Sequence, residues 1–197
     1  MKTKILIILI LPVVLASCNE KIVAYNDLTE AQLQLIPYEM GQVISFIDGA
    51  GQTVDLTVTR NELKWFRLSS GGLIEDYIEY RWKFVTLKGG YFKIELDLVA
   101  DDDFPKKKVK SKYRYVNCSL TVNIGSGRSF YLTADPEGTF FNSYNSSMAF
   151  HDSMEINGKV YYNVVEQNKE SKQLFYNKTY GILQFRNSGI NELTLKD

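Results

Sequence analysis

Between Tyr113 and Ile124 the chain alternates with a period of two: Val116, Cys118, Leu120, Val122 and Ile124 fall on one side, Asn117, Ser119, Thr121 and Asn123 on the other. Successive side chains of an extended strand point to opposite faces, whereas the apolar positions of a half-buried helix recur every three or four residues. The stretch is therefore expected to be one strand with one buried face, and Cys118 belongs to a core.

The same period recurs along the chain. Ile44 and Phe46, then Val54, Leu56 and Val58, alternate with polar residues on either side of a Gly49-Ala50-Gly51 turn, which predicts a hairpin. Phe92, Ile94, Leu96 and Leu98 stand opposite Lys93, Glu95 and Asp97. Leu63 to Leu68 and Tyr77 to Leu87 are further strand candidates, ended by Gly71-Gly72 and Gly89-Gly90. Arg128 to Thr133 reads as a short strand and Asp135 to Ser147 as a long loop, with strands resuming at Phe150. Met154 to Ile156 and Val160 to Tyr162 flank Asn157-Gly158, the pair that supplies positive φ for a type I′ hairpin turn. Leu174 to Tyr176, Ile182 to Phe185 and Leu193 to Leu195 complete roughly ten to twelve strands.

No segment among them is long and periodic enough to cross between parallel strands as a helix. The chain also carries 13 Tyr and 11 Phe against 4 Pro, which suits pleated, half-buried surfaces. The expected fold is all-β, an antiparallel meander forming a barrel-like or sandwich domain, with the barrel-like form preferred. One short N-terminal helix is expected where Asp27-Leu28-Thr29-Glu30 has capping-box spacing, with Ala31 to Leu33 continuing it and Pro37 stopping it.

The first residues have a different pattern. Lys2 and Lys4 precede an apolar run from Ile5 to Leu15, broken only by Pro12, and the run leads into Leu15-Ala16-Ser17-Cys18. Positive start, short apolar core and small residues form the pattern of an export signal. The run is well short of the ~20 residues that span a bilayer. Leu-Ala-Ser-Cys resembles the bacterial lipobox, which implies cleavage before Cys18 and lipid on that residue. The expected organisation is a signal peptide over 1–17, a lipidated tether over 18–26 and a single β-rich domain over 27–197. Removing 17 residues leaves 180, enough for one sizeable core. Basic and acidic residues are balanced at 23 each, so no basic footprint points to nucleic acid. With Cys18 lipidated, Cys118 has no partner for a disulfide.

Ile36-Pro37-Tyr38-Glu39-Met40-Gly41-Gln42, followed by Ile44-Ser45-Phe46 and the Gly49/Gly51 turn, resembles the opening of many small lipoproteins of the Bacteroidota. Phe175 to Phe185, with Tyr180-Gly181-Ile182-Leu183, looks like their closing hairpin before a final Leu-x-Leu. The resemblance implies an envelope location on the outer membrane and a β fold. It implies no activity and no catalytic residue. Asn19-Glu20-Lys21 carries a single acidic residue, which favours the periplasmic face over the cell surface.

Candidate sites are few. His151 is the only histidine, so a site needing two imidazoles is excluded, and it reads as an ordinary residue at a loop edge. Gly125-Ser126-Gly127 lacks the following helix of a nucleophile elbow. Asp101-Asp102-Asp103 lacks calcium-loop spacing and is followed by Lys106-Lys107-Lys108, Lys110 and Lys112, so it reads as a self-compensated solvated hairpin tip. Its rival reading is a patch for anionic headgroups or polysaccharide. Trp65, Trp82, Tyr77, Tyr80 and Tyr91 could stack on a sugar, although aromatics at this density mostly pack against one another. Asp152-Ser153-Met154 resembles the short motif at which Bacteroidota glycosylate exported proteins, making Ser153 a candidate acceptor. No catalytic residue, metal site or cofactor is expected. The expected role is a lipid-anchored, non-enzymatic envelope domain that binds a ligand or partner whose identity the sequence does not give, with a polysaccharide or an envelope protein as the candidate partner. The alternatives are a structural subunit of an envelope assembly and a carbohydrate-active accessory protein.

Overall fold

The period-two segments fold into a nearly closed barrel. The computed structural model describes residues 21–69, 76–100, 113–125, 129–143, 148–187 and 193–196. Among them are thirteen strands: β1 (Lys21–Asp27), β2 (Val43–Asp48), β3 (Thr53–Ser69), β4 (Asp76–Gly89), β5 (Phe92–Ala100), β6 (Tyr113–Tyr115), β7 (Cys118–Ile124), β8 (Phe130–Ala134), β9 (Met148–Ile156), β10 (Lys159–Lys169), β11 (Lys172–Asn177), β12 (Gly181–Asn187) and β13 (Leu193–Leu195). One short helix, α1 (Glu30–Leu33), follows β1. No helix among the described residues is long and apolar enough to cross a membrane.

The main path runs β8-β7-β5-β4-β3-β2-β13-β12-β11-β10-β9, with every neighbour antiparallel. The all-β, barrel-like expectation holds. Alternation delivers one face of each strand to a common core, in which Phe46, Leu56, Leu87, Leu96, Leu98 and Leu120 are fully buried. Cys118 lies in this core with no exposed surface. A second, smaller core joins Ile156, Tyr161, Val164, Phe175 and Leu183 near the β9–β10 hairpin. The tip of that hairpin has Asn157 at φ 52° and Gly158 at φ 79°, the type I′ geometry.

The path's two end strands, β8 and β9, are not paired directly, and the seam between them is closed by side chains. Gln167 of β10 is buried, and its amide bonds both backbone groups of Tyr131 in β8: Tyr131 N donates to Oε1 at 2.8 Å, and Nε2 donates to the Tyr131 carbonyl at 2.8 Å. One primary amide thus reproduces the donor–acceptor pair that a neighbouring strand would supply. Farther along, Phe141 N donates to the Thr133 carbonyl, and Met148 N donates to Asn142 Oδ1, so residues 140–143 line the rest of the edge.

One end of the barrel is plugged by the segment from Leu28 to Tyr38. Leu28, Leu35, Ile36 and Tyr38 enter the main core. The capping box sits two residues later than expected. Thr29 is the N-cap and its Oγ1 accepts from Gln32 N, while Thr29 N donates to Gln32 Oε1. Asp27 cannot cap because it is still extended, paired with Tyr115. The remaining amide donors of Gln32 reach the carbonyls of Val116 and Asp135, pinning α1 to two loops. Tyr176 Oη donates to the Leu35 carbonyl, and Tyr38 Oη accepts from Ile182 N at 2.7 Å.

Beyond the plug, β3 and β4 continue as a two-stranded arm. The expected strand at Leu63 to Leu68 is the second half of one uninterrupted β3, with an irregularity between Val58 and Arg60. The arm is widened by β1, which pairs with β4 in parallel from Lys21↔Asp76 to Asn26↔Tyr80, and by β6 beyond it. Two expectations change here. Residues 21–26, read as tether, are strand. The single strand expected from Tyr113 to Ile124 is two, because the chain leaves the arm at Tyr115 and enters the barrel at Cys118, with the Val116 carbonyl taken by Gln32. Strand β9 also starts at Met148, ahead of the expected Phe150.

Candidate functional site

Where the plug meets the root of the arm there is a groove of about 610 Å³. Glu30, Leu33 and Ile36 to Glu39 form its plug wall, Asn61 and Lys83 its arm wall, and Lys178 and Thr179 close it from the β11–β12 turn. Its position follows from strand facing. In β4 the odd positions Val85 and Leu87 point into the core, so Lys83 is the residue in phase with them at which the inward row leaves the barrel. The corresponding position on β3 is Asn61, paired with Val85.

Lys83 Nζ donates to the carbonyls of Leu33 and Ile36, at 2.8 and 2.9 Å. These are orphan acceptors at the end of α1 and just beyond it, the place where a cation is favoured. Burial pushes the Lys83 amine below the usual lysine range, and Glu30 opposes the shift. With two of its three donors committed to carbonyls, the ammonium acts as a cap with one N–H left over, not as a free nucleophile. Asn61 Nδ2 donates to the Tyr38 carbonyl at 2.9 Å. Lys178 makes no hydrogen bond and no ion pair among the described residues. The groove therefore offers a small polar ligand one uncommitted ammonium, one spare N–H and, on its rim, the carboxylates of Glu30 and Glu39.

The five aromatic candidates are distributed over three places. Trp65 and Tyr77 share one face of the arm. The Trp65 ring meets the Tyr25 ring edge-on at 5.6 Å and lies 4.9 Å under the Arg81 guanidinium, while Arg67 covers Tyr77. Trp82 is on the opposite face, 4.6 Å from Phe66 and 5.2 Å from Phe84. Tyr80 is buried beside Ala24 and Ile78 on that face. Tyr91 is fully exposed in the turn between β4 and β5, at the other end of the barrel. The arm thus brings four of the five together but turns them to two sides, and none lines the groove.

Ser153 is exposed within β9, opposite Tyr162. His151 lies inside the same strand and not at a loop edge. Its Nε2 is 2.8 Å from Glu166 Oε2 across the β9–β10 pair. Burial alone would raise the Glu166 pKa, but hydrogen bonds from Asn168, His151 and Gln173 outweigh it and hold the carboxyl below its usual range. Asp101 to Lys112, Ser126 and Cys18 lie outside the described residues. Among the described residues no group of three or more His, Cys, Asp or Glu side chains is arranged to hold a metal ion. The groove residues escaped sequence reasoning because they come from three distant segments. The available signal was Lys83, a charge in phase with an inward apolar row. Comparisons of the chain with family models, curated proteins and solved structures gave no match.

Proposed function

We propose that the chain is exported, anchored through lipid on Cys18, and acts in the cell envelope as a non-enzymatic binding domain. The observation that carries the anchoring is the order Lys2, Lys4, apolar run, Leu15-Ala16-Ser17-Cys18, with the first strand beginning only three residues later at Lys21. The resemblance to small Bacteroidota lipoproteins supports the same location, on the outer membrane with the periplasmic face preferred. The groove beside Lys83 and Lys178 is the binding site this reading favours. Its volume falls in the ~300 to 1,000 Å³ range of small-molecule sites, and its spare donors suit an anionic or carbonyl-bearing group such as an acidic sugar.

Substituting Cys18→Ala tests the anchor. Labelled fatty acid should enter the wild type alone, and the variant should no longer sediment with membranes in high salt. A variant that stays membrane-bound in high salt removes the lipid reading. For the groove, acidic oligosaccharides that raise the unfolding midpoint of the wild type should fail to do so for Lys178→Ala.

One feature favours the alternative role as an assembly subunit. Among the described residues strand β9 pairs with β10 alone, and Phe150, Val160 and Tyr162 are exposed on this hairpin, whose edge beyond the seam contact at Met148 is a template for a further strand. A lipid-free protein that remains monomeric at high concentration rules against assembly through that edge.

A further inference from the structure

We infer that the free end of the arm faces the bilayer, with Leu68 against the lipid headgroups. The inference rests on the anchoring proposed above and adds to it an orientation and a contact surface. Its basis is the parallel register of β1 on β4. The first residue of β1, Lys21, pairs with the first residue of β4, Asp76, at the end of the arm farthest from the barrel. The chain therefore enters the fold at the arm's free end. Cys18 is three residue steps before Lys21, which span at most ~11 Å when fully extended. A lipid held in the leaflet that faces the domain consequently keeps this end of the arm within about 11 Å of its anchor, a reach comparable with the headgroup zone, which is about 6 Å deep on each side.

The side chains there suit that level. Leu68 and Phe66 are 52% and 37% exposed, although both are large and apolar. They project from the same face of β3, opposite Ile78 and Tyr80, with Phe66 resting on Trp82. Leu68 stands opposite Ile78, two positions and about 7 Å along the strand from Asp76, so it is the one that reaches the headgroups, with the aromatic Phe66 behind it. The orientation also fixes what faces away. Strand β4 has fourteen residues, so at ~3.3 Å each its far end is about 43 Å along the strand from Asp76, and Tyr91 lies just beyond. Lys83 is seven residues along, about 23 Å from the free end, which leaves the groove open to water above the headgroups.

The test uses the intact lipid-modified protein in phosphatidylcholine vesicles containing lipid that carries a nitroxide on its headgroup. A nitroxide-quenched fluorophore is placed at Leu68→Cys or at Tyr91→Cys, each in a Cys118→Ala background so that no other thiol reacts. Flotation with the vesicles reports the anchor separately from the quenching. The label at position 68 should lose emission on the nitroxide-bearing vesicles, while the label at position 91 stays unquenched. Protein that floats with both labels unquenched, or with position 91 the more quenched, overturns the orientation alone. Protein that does not float overturns the anchor and the orientation with it. Arg67→Cys, exposed and paired with Glu79 only three positions from Asp76, repeats the measurement should Leu68→Cys fail to fold.

Discussion

The substitution Gly181→Ala separates the plug from ordinary turn chemistry. Gly181 has φ 77°, and a Cβ built there would lie 2.5 Å from Cζ of Tyr38 and closer still to its hydroxyl. Two costs follow. A non-glycine residue in the left-handed region costs about 1–2 kcal/mol. The Tyr38 ring must also retreat, and its hydroxyl then leaves the buried Ile182 N–H without an acceptor, a further ~1–3 kcal/mol. The sum is on the order of 3 kcal/mol. Gly158→Ala is the internal control, because Gly158 has nearly the same φ of 79° with nothing within 4 Å of its would-be Cβ. It should cost only the first contribution, about 1 kcal/mol. With a urea slope near 2 kcal/mol per molar, the midpoint should fall by about 1.5 M for Gly181→Ala and about 0.5 M for Gly158→Ala. In a Tyr38→Ala background the extra loss at Gly181 should largely vanish, a coupling of about 2 kcal/mol. Equal midpoints for the two glycine variants, or strict additivity with Tyr38→Ala, would refute the packing of Tyr38 on the β11–β12 turn.

Gln167→Leu should open the seam: it strands both backbone groups of Tyr131, costs about 1–3 kcal/mol, and should speed hydrogen exchange at the Tyr131 amide, whereas unchanged exchange would show that the seam closes by other contacts. Burial raises the pKa of Tyr38 and of Tyr176, so the folded state keeps protons that the unfolded state loses above about pH 10; the stability they contribute is intact below that pH and is lost as pH rises beyond it, and Tyr38→Phe should flatten this alkaline limb in unfolding curves. Asn26 has no exposed surface and neither amide atom has a hydrogen-bond partner among the described residues, so Asn26→Leu should stabilise the protein by about 1–2 kcal/mol, and a destabilised variant would show that the amide has a partner in solution.

The sequence announces those parts of the fold that arise from one short stretch. The alternation of Phe92 to Leu98 fixes the inward face of β5, and Asn157-Gly158 fixes its turn, because each depends only on local backbone geometry. What depends on distant partners was not legible. Residues 21–26 show no period of two, and nothing within them says that a strand about fifty residues farther on, with its first pair at Asp76, will take them in parallel. The break at Val116 is invisible in its own alternation, since it is imposed by Gln32, 84 positions earlier. Four of the five aromatic candidates lie on the arm, but which side each ring occupies is set by the pairing of β3 with β4. Composition carries no such register.

The parallel entry of β1 also decides how the protein responds to mechanical load. Tension on the chain ahead of Lys21 pulls outward along the axis of β1, away from the barrel. Strand β1 lies between β4 and β6, so its pairings on both sides resist as a set, in shear. An antiparallel hairpin strand pulled from its open end would instead lose its bonds one at a time, as a zipper does. Beyond β1 the chain runs directly into Leu28 and the Thr29–Gln32 cap, so any slip of the strand is opposed next by the plug. A domain pulled by its N-terminus would therefore yield last at the strand through which the load enters.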